Sequence, residues 1–463
     1  MNPSRDLQGR LPEYLASLAH ELATLISNKG GRLLLVGGSV RDLLLDEQPH
    51  ELDIEVRGLE SEHITSLLAP KFRTEEVGKS FGVLKVKGLP IEISLPRTER
   101  KTGTGHRGFE VDIDPNLPFE EASARRDFTI NALGLDPLSG ELLDPHKGEN
   151  DLANGILRHV GPAFSEDPLR VLRGMQFIAR FNLQPADETI QLCRSIPIEH
   201  LPPERLFEEW KKLIVKGKTP SLGLHFLKDV DWLRHFPELE TLVGCEQDPE
   251  WHPEGDVWVH TLHCMDAFAQ ERIKNEWEDL VVGLSVLCHD LGKPITSYRS
   301  EDGRIRSPKH EPKGEDPTRS FLGRLTNQAD LAEQVVPLVR RHLAPRTFYH
   351  DRASDGAIRR LARQVKRIDR LVRVAKADIE GRPPRQDDFP EGPWLLKRAE
   401  ELMVKDSEPK PIVLGRHLMD RGLEPGPSFG PVLEECFEAQ LDGKFSDETS
   451  GFAYLDSLLE RNN

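Results

Sequence analysis

Near residue 150 the spacing of apolar residues changes for good, and one regular architecture cannot satisfy both sides of that change. Before it, apolar residues come in short runs. Leu33 to Val36, Leu52 to Val56, Gly82 to Val86 and Ile91 to Leu95 read as strands, with helices over Leu11 to Ile26 and Val40 to Leu45. Arg97 to Glu121 mixes Gly, Thr, Asp and Pro without period and reads as a long loop, the kind that tends to carry function. After Asp151 the spacing is helical: Pro168 to Phe181, Pro203 to Val215, His260 to Ile273, Glu278 to Leu287, Leu331 to Arg341 and Asp355 to Val374. The expectation is an α+β multidomain chain, α/β at first and all-α afterwards. Turn-rich segments at Asp144-Pro145 with Lys147-Gly148, at Gln247 to Pro253 and at Arg382 to Pro393 divide it into residues 1–150, 151–245, 246–385 and 386–463.

Gly37-Gly38-Ser39 lies where a strand runs into a helix, so backbone N–H groups and the helix dipole can meet a phosphate there. A glycine pair alone is often just a tight turn, and neither GxGxxG nor a P-loop is present. Its weight comes from Asp53-x-Glu55 on the next strand. A period of two puts both carboxylates on one face, a place for hard cations such as Mg²⁺ beside triphosphate oxygens.

A second group of residues is spread along the helical half. His260, His289-Asp290-Leu291-Gly292-Lys293-Pro294, His310, His342 and Asp378 offer the imidazole and carboxylate donors that suit a divalent transition metal. Cys193, Cys245, Cys264, Cys288 and Cys436 form no CxxC pair and read as reduced and structural. The net charge of −16 disfavours nucleic acid as a partner of the whole surface. Between Arg340 and Arg382, however, thirteen Lys or Arg stand against five acids, either a stripe that tracks phosphates or a solvated helix face. No window reaches 18 apolar residues and the first eight residues lack a basic-then-apolar pattern, so a membrane role is not expected and the cytoplasm is.

Four segments occur in order: Leu35-Val36-Gly37-Gly38-Ser39-Val40-Arg41-Asp42-Leu43-Leu44, Asp53-x-Glu55, Arg125-Arg126-Asp127-Phe128-Thr129-Ile130-Asn131-Ala132, and Glu166-Asp167-Pro168-Leu169-Arg170 running on through Arg173. Together they resemble the class II tRNA nucleotidyltransferases, the bacterial CCA-adding enzymes. The resemblance implies a polymerase-β-like palm followed by helical neck, HD and tail domains. It implies that Asp53 and Glu55 hold catalytic Mg²⁺, with Glu55 replacing a common Asp. Gly37, Gly38, Ser39 and Arg41 would cradle the triphosphate, while Arg126, Asp127 and Asn131 would contact the ribose. Glu166, Asp167 and Arg170, followed by Arg173, would read the base of CTP or ATP. On one helical turn Asp167 and Arg170 face the same side, although an ordinary i,i+3 ion pair has the same spacing. The loop that begins at Arg97 matches the segment that switches such enzymes from CTP to ATP. Glu204-Arg205 with Trp210 and Lys212 resembles a neck element, and Leu414-Gly415-Arg416 a tail element that either takes a tRNA phosphate or simply packs.

The His-Asp run resembles the HD metal-dependent phosphohydrolases, with His260, His289, Asp290 and Asp378 matching the core ligands and His310 and His342 an additional ion's ligands. For a CCA-adding enzyme carrying this domain, the resemblance implies 2′,3′-cyclic phosphodiesterase and phosphatase activity. The expected partners are the tRNA acceptor arm, ATP and CTP. The alternatives are a poly(A) polymerase or a CC-only or A-only enzyme on the same head, and an HD phosphohydrolase whose head only binds RNA.

Overall fold

The computed structural model describes residues 7–76, 83–101, 109–198, 201–383 and 388–462. The chain divides into two compact units, Met1–Trp210 with Leu222–Trp232, and Lys211–Ser221 with Leu233–Asn463.

Among the described residues of the first unit, a seven-stranded sheet is built from β1 (Arg32–Val36), β2 (Leu52–Arg57), β3 (Thr74–Glu76), β4 (Val83–Val86), β5 (Ile91–Ser94), β8 (Gly134–Leu135) and β9 (Leu142–Leu143). Two further strands, β6 (Arg97–Lys101) and β7 (Phe109–Ile113), pair separately. The sheet order is β3-β4-β5-β2-β1-β8-β9, antiparallel except for the central β2–β5 pair. The helix Glu13–Ser27 buries Leu15, Ala19, Leu22, Ala23 and Ile26, one helical stripe, and packs it on β1. Leu33, Leu35, Ile54, Val56 and Ile93 complete that core from the sheet.

The expected long loop after β5 is in part a hairpin. β6 and β7 pair from Arg97↔Ile113 to Lys101↔Phe109, and Phe119–Ala124 is a short helix. Arg97-Thr98-Glu99-Arg100-Lys101 is polar on both faces, so no apolar alternation marks it as a strand. Residues 102–108, the middle of the expected switching loop, lie outside the described residues, as does Gly82.

A buried polar chain joins three parts of this unit. Arg41, on the helix Gly38–Leu44, donates to Asp42 and, at 2.7 Å, to the Asn131 side chain. Asn131 donates to Asp127 Oδ1 at 3.0 Å, and Arg173, on the helix Leu169–Phe181, donates to Asp127 Oδ2 at 2.6 Å. Arg41 also lies over the rings of Phe177 and Phe181. Each polar atom inside is thereby satisfied, as burial requires.

The second unit is helical at its centre, with Val257–Gln270, Glu276–Cys288, Ala329–Arg341, Asp355–Val365 and Ile368–Glu380. The single helix expected over Asp355 to Val374 is two helices, because Lys366 takes a positive φ of 62° and ends the first. The all-α expectation also misses a two-stranded hairpin, Tyr298–Arg299 with Ile305–Arg306, turned at Gly303 (φ 82°). Near the end of the chain, Gly415–Met419 packs Leu418 into a small core with Cys436, Phe445 and Leu455.

The basic stripe is a set of internal ion pairs. Nine of its thirteen cations have a carboxylate within 4.0 Å, among them Arg370 on Glu278, Arg373 on Asp279 and Arg363 on Glu434 and Glu438. Most of these partner acids lie far away in sequence, so most of the stripe is not a face of free cations.

Burial pushes the Asp127 carboxyl up, but Arg173, the Asn131 hydrogen bond and Arg170 outweigh it and hold it at about 2. An unfolded Asp titrates near ~3.9. The stabilisation from this depressed pKa is therefore complete above about pH 4 and is lost as pH falls through about 2. Asp127→Asn should cost about 2–3 kcal/mol by leaving Arg173 without its counter-charge. Urea unfolding of both proteins at several pH values should show that difference at pH 7 and a narrowing gap below pH 4.

Candidate active site and metal centre

β1 ends at Val36 and the chain turns at Gly37, whose φ of 65° is open to glycine at little cost. Space makes the same demand: a Cβ on Gly37 would fall 2.8 Å from the Arg126 guanidinium and 3.2 Å from Asp53 Oδ2. The turn, Asp53 and Arg126 therefore meet at one point. Gly38 N–H donates to Asp53 Oδ2 at 3.2 Å. Ser39 is buried and ties its helix to β2, accepting the Asp53 N–H at 2.8 Å and donating to the Glu51 carbonyl at 3.1 Å. In this structure Ser39 thus places Asp53, and Arg41 is engaged inside the polar chain. Of the expected phosphate cradle, Gly37 and Gly38 form the turn itself.

Glu55 lies two residues along β2, buried, with its carboxylate 2.5 Å from Arg57. Asp53 stands in register with Glu92 on β5. Burial pushes the Asp53 carboxyl up, Glu51 and Glu92 push the same way, and Arg126 and the Gly38 N–H oppose them. Negative charge in excess of its local compensation, presented by oxygen donors, fits a hard divalent cation.

The expected base-reading residues do not pair with each other. Asp167 binds Arg205 at 2.7 Å and caps the Leu169 N–H. Arg170 donates to the carbonyls of Ala163 (2.8 Å) and Arg125 (2.6 Å). Glu166 closes the short 3-10 helix Pro162–Glu166 that leads into them.

The second unit brings all six expected HD residues together. His260 Nε2 lies 3.0 Å from Asp378 Oδ1, and His289 Nε2 lies 3.2 Å from Asp290 Oδ2. His310 Nε2 is 3.5 Å from Asp290 Oδ1 and 3.3 Å from His342 Nε2. The other ring nitrogens fix the tautomers. Nδ1 of His289, His310 and His342 meets the carbonyl of Val286, Ser307 and Val339 respectively at 2.7–2.8 Å, and His260 Nδ1 meets Glu254 at 2.8 Å. Each Nδ1 is therefore a protonated nitrogen and each ring turns its Nε2 to the centre; at His310 and His342, which burial pushes toward the neutral form, that Nε2 carries a lone pair.

Two lone pairs facing each other at 3.3 Å require a cation between or beside them. His289 Nε2 and both Asp290 oxygens are buried without a hydrogen-bond partner. Lys293 is 2.7 Å from Asp290 Oδ2, at ion-pair distance but outside hydrogen-bond geometry. Burial, with His289 and His310 adding to it, pushes His342 down to about 3, so it is a neutral imidazole. Burial opposes ionisation of Asp290 and Asp378 too, yet neighbouring cationic groups hold both well below the usual carboxylate range. Burial also lowers His289, but Asp290 and Asp378 outweigh it and raise it. These buried carboxylates are thus ionised among positive charge, a setting in which a divalent ion could also be held. The donor set fits a transition metal.

The sequence reading missed four members of this centre, His252, Glu254, Cys264 and Arg382. His252 Nδ1 shares the Glu254 carboxylate at 2.9 Å, linking it to His260. Cys264, one helical turn beyond His260, has Sγ 3.3 Å from His260 Nε2, and burial keeps its thiol protonated. Arg382 lies 2.6 Å from Asp378. The i,i+4 spacing of His260 and Cys264 was visible; His252 sat in the segment Gln247 to Pro253, read as a domain boundary, and Glu254 directly follows it. Gly292 explains the position of His310: its backbone passes so close that a Cβ would fall 2.0 Å from the His310 carbonyl oxygen.

No helix among the described residues is long and apolar enough to cross a membrane. A family model described as the poly A polymerase head domain matches residues 33–158. The multifunctional CCA protein of Stenotrophomonas maltophilia is 37% identical over 425 residues, 88% of this chain and 98% of that protein. The multifunctional CCA protein of Xylella fastidiosa (strain M23) is 36% identical over 378 residues, 78% of this chain and 87% of that protein. In fold, the chain is similar to the CCA-adding enzyme of Bacillus stearothermophilus solved in complex with CTP, with a TM-score of 0.68 at 22% identity over 98% of this chain and 100% of that one. A head matched by its family model and more than a third identity along most of both chains lead to one conclusion: this chain belongs to the bacterial CCA-adding enzymes, the multifunctional CCA proteins.

Proposed function

We propose that the first unit adds C, C and A to the 3′ end of tRNA from CTP and ATP, with Asp53 and Glu55 as the catalytic carboxylates. The observation that carries this reading is the convergence of the Gly37-Gly38 turn, Asp53 and Arg126 on one point. Family membership brings divalent-metal use, and we assign Mg²⁺ to Asp53 and Glu55. Bound there, the ions would ease ionisation of the attacking hydroxyl and offset charge on the leaving group. The tRNA 3′-oxygen forms a bond to the α-phosphorus, the α–β phosphoanhydride bond breaks, pyrophosphate departs and the hydroxyl proton goes to solvent. In our assignment Gly37 and Gly38 hold phosphate oxygens, Ser39 positions Asp53, and Arg41 and Asn131 hold Asp127 beneath the ribose. Arg205 and the two carbonyls hold Asp167 and Arg170 for the base. Residues 1–150, 151–245, 246–385 and 386–463 are proposed as head, neck, HD and tail domains, in a cytoplasmic enzyme that meets tRNA there.

We further propose that the second unit is a phosphohydrolase. A divalent transition metal would be held by His260, His289, Asp290 and Asp378, with His310 and His342 available to another ion beside Asp290. The Nε2 lone pairs and the unpartnered Asp290 oxygens support this reading.

Incorporation of labelled nucleotides onto tRNAs ending before CCA, after C and after CC should stop once CCA is complete. Addition that halts at CC, or that runs on with A, would contradict the assignment. Asp53→Ala should lower incorporation on the order of 10³-fold while hydrolysis of 2′,3′-cyclic phosphates persists, and His289→Ala should show the opposite pattern. Gly292→Ala should displace His310 and lower retention of Co²⁺ about tenfold. Equilibrium dialysis of the full chain, followed by its Co²⁺ absorption bands, would measure this; unchanged retention would show that His310 does not need this contact.

A further inference from the structure

Above the His310–His342 pair is a cavity of about 290 Å³. Its floor carries Asp290, Asp378 and the two imidazoles, and Lys293 and Arg382 line its wall, each drawn onto a site carboxylate. The rim is chemically different. Trp251 lines it with 52% of its surface exposed, and the Arg346 guanidinium lies 5.8 Å from the indole centroid. Most cations of the same helical stripe are ion-paired, whereas Arg346 has no carboxylate within 4.0 Å among the described residues.

Nothing in the phosphohydrolase chemistry calls for an indole. A phosphate needs cations and donors, and the wall supplies them. An exposed indole beside that guanidinium offers two flat faces on which a heterocycle stacks, and Arg can also reach a phosphate. The rim is held in fixed relation to the floor. Asp248 accepts the N–H groups of Glu250 and Ile305, and its carbonyl accepts those of Trp251 and His252. His252 in turn shares Glu254 with His260, one of the proposed metal ligands. The Trp251 backbone is therefore tied within two side chains to the reacting end of the cavity.

We propose that Trp251, with Arg346, is a base-recognising shelf, so that this cavity selects a phosphate carried by a nucleotide over one on a base-free ester. The proposal rests on the phosphohydrolase reading above. The nucleotide is either free or the 3′-terminal residue of an RNA, because both present the same base, ribose and 2′,3′-cyclic phosphate.

The test uses the full chain loaded with Co²⁺, as wild type, Trp251→Ala and Trp251→Phe. Hydrolysis is measured on 2′,3′-cyclic AMP, on a short RNA ending in a 2′,3′-cyclic phosphate, and on glycerol 1,2-cyclic phosphate, which has no base. Trp251→Ala should lower the ratio of kcat/KM for base-bearing over base-free substrate about tenfold, mainly through KM, and Trp251→Phe should restore most of it. The base-bearing substrate with the larger loss identifies the source. Equal losses on all three substrates would overturn the proposal. If the wild type hydrolyses none of them, the phosphohydrolase reading fails, and binding of adenosine 2′-phosphate then decides the shelf separately. A Kd raised about tenfold in Trp251→Ala would uphold it, and an unchanged Kd would overturn it.

Discussion

The Asp127 carboxylate is the point on which the arrangement of the first unit depends. It accepts from Asn131 on one oxygen and from Arg173 on the other, and Asn131 accepts from Arg41. Those four side chains come from the helix after the glycine turn (Arg41), from the 3-10 turn Thr129–Asn131 (Asn131) and the residue two before it (Asp127), and from the helix Leu169–Phe181 (Arg173). A buried charge is tolerated only with its partners in place, so the network admits one relative placement of these elements and penalises the rest. Its reach extends to the strand carboxylates. Arg41 anchors the short helix, Ser39 on that helix grips the β2 backbone at Glu51 and Asp53, and β2 carries the acids.

In the second unit, charge is organised by pairing inside the fold. Glu278 receives Arg367 and Arg370, Asp279 receives Arg373, and Glu434 and Glu438 receive Arg363. This matters for an acidic protein whose family acts on tRNA. Affinity for a phosphate backbone comes from cations able to exchange their counterions, and an arginine already seated on a carboxylate contributes little of it. Counts of Lys and Arg along the sequence therefore overstate how much phosphate-binding surface that region offers.

Much of both sites was legible because its chemistry is written in short, local spacings: a glycine pair at a strand end, carboxylates two apart on a strand, His289 beside Asp290. Four of the seven described strands of the sheet, β1, β2, β4 and β5, were visible because one or both faces are apolar, whereas Thr74–Glu76 and the two-residue strands Gly134–Leu135 and Leu142–Leu143 were not. What escaped had no local signature. Arg97 to Lys101 pairs as a strand through its backbone while its side chains are all polar. The break at Lys366 is a single left-handed residue in an otherwise continuous helical pattern. Asp167 and Arg170 had the spacing of an ion pair, but Arg205 and two carbonyls, distant or outside any side-chain pattern, took their hydrogen bonds. Glu254 joined the metal centre from the residue just past a stretch, Gln247 to Pro253, whose Pro, Trp and acids suggested a connection between domains.

The imidazoles of the HD centre are aimed by two different means. His289, His310 and His342 each use Nδ1 on the main-chain carbonyl three residues earlier, at Val286, Ser307 and Val339. Every amino acid supplies that carbonyl, so substitution at those three positions leaves the acceptor in place so long as the backbone path holds. His260 is aimed by the Glu254 side chain, which one nucleotide change can remove. The centre is thus mutationally robust at three of its rings and fragile at the fourth, and sequence drift around it is constrained most tightly at Glu254, at the very edge of the segment that looks most like a linker.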